Sequence, residues 1–330
     1  MSICTTVSRE LTEPLAGTAP RAAAWLVIEQ SGPWGPRAVT ESHFHPDLGR
    51  ALQRKARGTG VEIALIRRPG KHADRPPTGE RTVFLAHTGL ARPAGAAPGS
   101  TAGGWVREAR LADPAELLDL DFAATGAGVE PAFGERYEGD PLALVCTNGR
   151  RDRCCALLGR PLAAELAAAG HAQVWEVTHL GGHRFSPTML VLPHGYAYGR
   201  LSAHTAKEVL EATRAGQVMP EWCRGRSFWE RPGQAAELAV RRAYAVEGVD
   251  DLTVEQVADP TGHPEDVPDG WTVRVTHVDG RAWRARVRRT VAEPARPESC
   301  LKAPTRPDRF DVVTLEPLHG AFASGGCRQA

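Results

Sequence analysis

Residues 142–183 read LALVCTNGRRDRCCALLGRPLAAELAAAGHAQVWEVTHLGGH. Leu142–Cys146 and Val174–Thr178 are short apolar and β-branched runs, which predict two buried strands. The Ala/Leu-rich run from Arg153 to Ala169 predicts the helix between them, with Asp152 placed to cap it. Downstream, strands at Thr188–Leu192 and Tyr196–Leu201 and a helix at Ala203–Ala215 complete the order β-α-β-β-β-α.

The same order precedes it. A strand at Ala24–Glu29, a helix at Asp47–Ala56, strands at Val61–Arg68, Thr82–His87 and Trp105–Leu111, and a helix at Pro114–Leu120 follow in turn, with a Pro/Gly-rich connection at Pro93–Gly104. Two successive units of one order predict an α/β chain of tandem thioredoxin-like units, each a mixed sheet with flanking helices. The first unit is expected over residues 1–121 and the second over 122–219. Residues 220–330 are expected to form a small C-terminal α+β extension: an amphipathic helix at Ala235–Tyr244, then a hairpin of Thr272–His277 and Ala282–Val287 around Asp279-Gly280. Beyond Arg289 the chain is Pro-rich and reads as irregular, ending in a flexible Ala-Ser-Gly-Gly stretch.

Composition narrows the function. Forty Lys+Arg against 39 Asp+Glu give a net charge of +1, so nothing favours bulk attraction to nucleic acid or an anionic membrane. The opening MSICTTVSRE has no apolar core of a signal peptide, and no later run reaches bilayer length. A soluble, cytoplasmic protein is expected. Seven scattered cysteines in 330 residues argue against a disulfide framework.

Only Cys146, Cys154 and Cys155 cluster, and they precede His179-x3-His183. Thiolates and imidazoles are ligands for a transition metal or an iron–sulfur cluster. Vicinal cysteines rarely serve one metal together, so one of Cys154 and Cys155 is the expected ligand. Gly181 and Gly182 would weaken a helix by about 1 kcal/mol each, so the His pair is expected on a loop. Two Cys and two His suit either structural zinc or a [2Fe–2S] cluster with mixed ligation. Residue chemistry alone leaves both open, along with a thiol–disulfide enzyme using Cys154 or Cys155.

CTNGRRDRCCALLGRPL, VWEVTHLGGHRFSPTMLVLPHGYAYGRL and WLVIEQSGPWG resemble the sucrase/ferredoxin-like family, over a span from about Cys4 to Ser299-Cys300. The resemblance implies a thioredoxin-like [2Fe–2S] ferredoxin domain with a non-Rieske cluster on Cys146, Cys155, His179 and His183. It selects Cys155 over Cys154 because the family's second cysteine stands three positions after the Asp of Arg-Asp. The chain departs at Asn148, where many relatives carry His; that position is not expected to ligate. The implied function is electron transfer with a separate reductase and acceptor, and no Gly-x-Gly-x-x-Gly suggests an internal nucleotide site.

Other features carry plainer expectations. His43 and His45 read as loop residues before a helix, and Pro187 stands equally for a cis bond beside the site or an ordinary strand start. Arg150, Arg151, Arg153 and Arg184 flank the ligands, where they would either meet an acidic partner or form a solvated face. Trp175 and Phe185 are expected to wall the histidines. Arg284, Arg286 and Arg288 alternate as on a charged edge strand.

Overall fold

Apolar runs too continuous for one wet face become strands covered on both sides. The computed structural model describes residues 4–70, 79–90, 103–171, 173–257, 270–300 and 302–318. Helix α1 (Cys4–Glu10) leads to β1 (Ala24–Glu29), α2 (Pro46–Ala56), β2 (Val61–Arg67), β3 (Arg81–His87) and β4 (Trp105–Leu111). A short helix α3 (Phe122–Gly126) and strand β5 (Glu135–Arg136) close the first half. The second half runs β6 (Leu142–Cys146), α4 (Arg160–Ala168), β7 (Val174–Val177), β8 (Met189–Leu192), β9 (Tyr196–Tyr198) and α5 (Ala203–Arg214). Then come β10 (Cys223–Arg226), α6 (Arg231–Tyr244) and strands β11 (Leu252–Val257), β12 (Gly270–His277), β13 (Ala282–Val291) and β14 (Asp308–Pro317).

The protein is thus mixed α/β. Among the described residues ten strands form one sheet in the order β10-β9-β8-β6-β7-β2-β1-β3-β4-β5, and four form a second in the order β11-β12-β13-β14. Within the large sheet β1 pairs parallel with β2 and antiparallel with β3, and β6 pairs parallel with β7 and antiparallel with β8. The third and fourth strands of each half, β3 with β4 and β8 with β9, are antiparallel. The halves meet where β2 and β7 pair antiparallel, Ile66 opposite Val177 and Arg67 opposite Glu176.

Alternation along the strands sorts their residues into separate cores. Trp25, Val27, Ile66, Leu144, Cys146, Trp175 and Val177 share one core that crosses the junction and includes Cys155. Ala24, Leu26 and Ile28 face the opposite way, toward Leu52 of α2, and Ala143 and Val145 face Leu162 and Leu166 of α4. Helix starts follow local chemistry: Ser202 and Thr205 form a capping box on α5, and the His45 ring accepts the Asp47 N–H ahead of α2.

Several expectations change. Pro114–Asp119 is a 3-10 turn, not an α-helix. The chain beyond Arg289 is not wholly irregular, since β14 pairs along the length of β13. That pairing corrects the edge-strand reading of Arg284, Arg286 and Arg288. Arg284 and Arg288 are exposed and Arg286 is half-buried, but their strand lies inside the sheet. Most of the Pro93–Gly104 connection and the Ala-Ser-Gly-Gly end lie outside the described residues. Among the described residues no helix is long and apolar enough to cross a membrane.

Two buried ionic groups tie distant segments together. At the junction Arg67 Nε donates to Glu176 Oε2 at 2.8 Å, the Thr147 hydroxyl donates to the same oxygen at 2.8 Å, and the Arg67 guanidinium lies 4.2 Å from the Trp34 ring centre. Nearer the termini, Glu13 accepts from Arg184 at 2.8 Å and pairs with Arg296 at 3.1 Å, and Arg184 also reaches Glu298 at 2.7 Å. Arg184 is therefore a buried structural cation and not a surface charge for a partner. Burial pushes the Glu13 carboxyl up, but the Arg296 and Arg184 guanidinium groups outweigh it and hold it below its ordinary 4.5.

Replacing one member of a buried pair leaves the other charged and dry, at a cost of about 3–5 kcal/mol. Glu176→Leu is expected to lose stability on that scale in denaturant unfolding, and Arg67→Met combined with Glu176→Leu to regain most of it. Glu13 should make stability pH-dependent with a defined sign. Its folded value is depressed, so its contribution is complete above about pH 4.5 and is lost as pH falls through the lower folded value. The gap in melting temperature between wild type and Glu13→Gln is expected to shrink on acidification below that pH.

Candidate metal centre

Strand β6 delivers Cys146 at its end, and the chain turns through residues 147–152 before the ligand helix begins. Asn148 builds this turn: its Oδ1 accepts the N–H groups of Arg150 and Arg151 at 3.1 and 3.3 Å, while its Nδ2 donates to the Gly35 carbonyl at 3.0 Å. Asp152 then caps the helix as its sequence position suggests, Oδ1 accepting the Cys154 N–H at 3.0 Å.

The helix opens with a π-helical turn over Cys155–Gly159 before α4 continues it. Such turns often mark functional sites. Gly159 lets it dock: an added Cβ would lie 2.2 Å from the Cys146 carbonyl oxygen. The approach seats Cys155 beside Cys146 in the core that spans both halves.

The histidine arm is a loop, as the two glycines require. Gly181 and Gly182 have φ of 65° and 66°, a left-handed conformation that suits glycine, and a single 3-10 turn follows at His183–Phe185. Under the turn lies buried Arg224, donating to the Gly181 carbonyl at 3.1 Å and the Thr18 hydroxyl at 3.1 Å. Burial pulls the guanidinium down to about 9, which still leaves it charged at neutral pH. Phe185 and Trp175 are both buried beside the arm, and the Ser186–Pro187 bond is cis.

Cys146 Sγ, Cys155 Sγ and a His183 ring nitrogen all lie within 4.8 Å of one another. Cys155 Sγ is 3.1 Å from His183 Nδ1. The His179 ring centre is 4.8 Å from that of His183, and His179 Nδ1 is buried without a hydrogen-bond partner. The structure therefore gathers all four sequence-selected residues, with His179 just outside the tightest group. An orphaned buried ring nitrogen beside two thiols and a second imidazole fits a metal-bearing group.

Electrostatics agree with that fit. The Cys146 thiol is held below its ordinary value, chiefly by a hydrogen bond from Cys155 and then by the Leu180 and Asn148 N–H groups; the same bond and burial push Cys155 up. Burial takes His179 down to about 3 and His183 to about 4, with Arg151 and Arg224 adding to the effect. Both imidazoles are therefore neutral at physiological pH, the form that ligates metals.

Cys154 turns away from this group. Its Sγ lies 3.3 Å from Cys4 Sγ and 2.9 Å from Cys300 Sγ, so the vicinal cysteines face different neighbours. Hydrogen bonding from Cys4 is the main cause that brings Cys154 down to about 6, with Cys300 and Thr5 contributing. The grouping of Cys4 and Cys300 with Cys154 was not foreseeable from spacing, because the partners are 150 and 146 residues apart.

Gly182→Ala isolates the loop's contribution. The new Cβ would meet Arg224 Nη2 at 2.2 Å at a φ of +66°, whereas at Gly170, with φ +88°, nothing lies within 4 Å. Both variants carry strain of order 1–3 kcal/mol. Only Gly182→Ala is expected to lower the metal content of purified protein; equal retention in both would show that the arm tolerates displacement.

Comparison with known proteins bears on the site. A sucrase/ferredoxin-like family model matches residues 15–225, which include Cys146, Cys155, His179 and His183. The chain is 26% identical over 104 residues to "Altered inheritance of mitochondria protein 32" of Meyerozyma guilliermondii, a match covering 28% of this chain and 37% of that protein. The chain thus spans little more than a third of that relative's length. No solved structure matches. The match of the family model over most of the chain shows that this protein belongs to the sucrase/ferredoxin-like family.

Proposed function

We propose that the protein is an electron carrier whose centre is a [2Fe–2S] cluster on Cys146, Cys155, His179 and His183. The observation that carries this reading is the convergence of two thiols with two buried neutral imidazoles, one bearing an unpartnered Nδ1. Family membership supports it. The strand order and orientation of the two halves suit tandem thioredoxin-like units, with the ligands in residues 122–219, a ligand-free unit over 1–121 and an extension over 220–330.

When bound, such a group supplies one-electron chemistry, at a higher potential than all-thiolate ligation gives. The protein's own residues set the rest. Neutral imidazoles ligate without adding negative charge. The Leu180 and Asn148 N–H groups point at Cys146 Sγ and favour its thiolate. Buried Arg224 offers positive charge beside the arm, which favours an added electron.

Outside, Arg150, Arg151, Arg153 and Arg160 are exposed in the same stretch of chain as Leu157, itself 56% exposed. Exposed basic residues with an exposed apolar one suit an acidic redox partner, so a separate reductase or acceptor is expected to dock here.

A single zinc ion is the second reading. It is favoured by the short spacing of Cys146, Cys155 and His183, whose donor atoms are close enough to share one ion. Visible absorption of anaerobically purified protein, with iron and acid-labile sulfide quantified, separates the two. Two irons and two sulfides per chain are expected, with the spectrum altered in His179→Ala and Cys155→Ser. A colourless protein that takes up zinc but no iron on anaerobic reconstitution would overturn electron transfer.

A further inference from the structure

The second thiol group has no part in the centre just described. Cys4 and Cys154 are buried, Cys300 is half-buried, and all three are free thiols. Their sulfurs stand 3.3 Å (Cys4–Cys154), 3.6 Å (Cys4–Cys300) and 2.9 Å (Cys154–Cys300) apart. Asp152 completes the group with Oδ1 at 4.0 Å from Cys4 Sγ, and the four donor atoms all lie within 4.8 Å of one another.

Thiols are weak hydrogen-bonding partners, so three of them gain little by crowding together out of water. Asp152 adds a buried carboxylate that, among the described residues, forms no ion pair with Lys, Arg or His. Its Oδ2 is fixed by the Ser299 hydroxyl at 2.7 Å and the Cys300 N–H at 2.8 Å, while Oδ1, which accepts the Cys154 N–H at 3.0 Å, also faces the Cys4 sulfur. A buried anion and three thiols with no cation is an arrangement that a metal ion would complete.

Spacing selects the kind of ion. Tetrahedral zinc with Zn–S bonds of about 2.3 Å sets its thiolates roughly 3.8 Å apart. The observed separations need small side-chain rotations to reach that value. A disulfide would require a separation of about 2.05 Å, and it would leave one of the three sulfurs out. A multi-iron cluster would spread its thiolates farther than one ion does. Three sulfurs with one carboxylate oxygen form a donor set that zinc accepts.

We propose that Cys4, Cys154, Cys300 and Asp152 form a structural zinc site that clamps the N-terminal helix and the C-terminal extension onto the start of the ligand helix. Each thiol that ligates releases its proton to solvent. The site is back to back with the first centre, since Cys154 and Cys155 are chain neighbours that turn to opposite sides.

The test is zinc and iron analysis of the full chain, purified anaerobically and dialysed against zinc, with X-ray absorption at the zinc edge. One zinc per chain bound by three sulfurs and one oxygen is expected. It should be lost in Cys4→Ser and in Cys300→Ser while iron and the visible spectrum persist, and retained in His179→Ala. Because the ligand count is read on unaltered protein, the test stands even where a variant does not fold. Two zincs, one lost with Cys300→Ser and the other with His179→Ala, would sink the iron–sulfur reading and leave this site standing. A zinc-free protein, zinc with nitrogen ligands only lost with His179→Ala, or a Cys154–Cys300 disulfide in anaerobic peptide maps would overturn the site.

Discussion

The candidate centre depends on one close approach. The carbonyl oxygen of Cys146 occupies the space where a Cβ on residue 159 would lie, so the ligand helix can lean against the end of β6 only because residue 159 is glycine. Without that contact Cys155 would stand away from Cys146, and the apolar core joining Trp175, Leu180 and both cysteines would open. The π-helical turn beginning at Cys155 belongs to the same constraint, since it is the segment that carries the helix past the strand end.

The histidine arm answers to a different force. Two left-handed glycines and a buried guanidinium hold a loop that has no strand or long helix to shape it. Arg224 binds Thr18 and Gly181 together, so a residue far upstream helps to place the imidazoles. The two arms are thus set independently, one by steric contact along the sheet and the other by hydrogen bonds beneath a turn.

Much of this was legible in the sequence, for identifiable reasons. β1 and β6 are continuous apolar runs buried on both faces, and such runs read the same in a sequence as in a sheet. The four candidate residues Cys146, Cys155, His179 and His183 fall within one βαβ segment and the loop after it, so short-range spacing finds them. β14 escaped because its residues are half-buried or exposed and follow a Pro-rich segment, leaving no alternation to detect. The 3-10 turn at Pro114–Asp119 spans 6 residues, too few for periodicity to tell it from an α-helix. Cys4 and Cys300 were invisible as neighbours because only the tertiary fold brings them together. Asp152 was visible as a helix cap, and its second contact with Cys300 was not.

The junction between the halves has a symmetry of its own. Register places Ile66 opposite Glu29 in one half and Val177 opposite Cys146 in the other, and Glu29 and Cys146 end equivalent strands. Ile66 and Val177 are themselves paired across the junction, so equivalent residues face each other and a local two-fold axis passes between them. That is the isologous contact of a cyclic dimer, self-complementary edge to edge. The proposed tandem arrangement would make the chain the equivalent of a dimer held in one polypeptide. The two halves are not alike at these positions, since one carries Cys146 where its counterpart carries Glu29. The candidate thiols and imidazoles lie on one side of that junction, and among the described residues the other half contributes sheet edge and core.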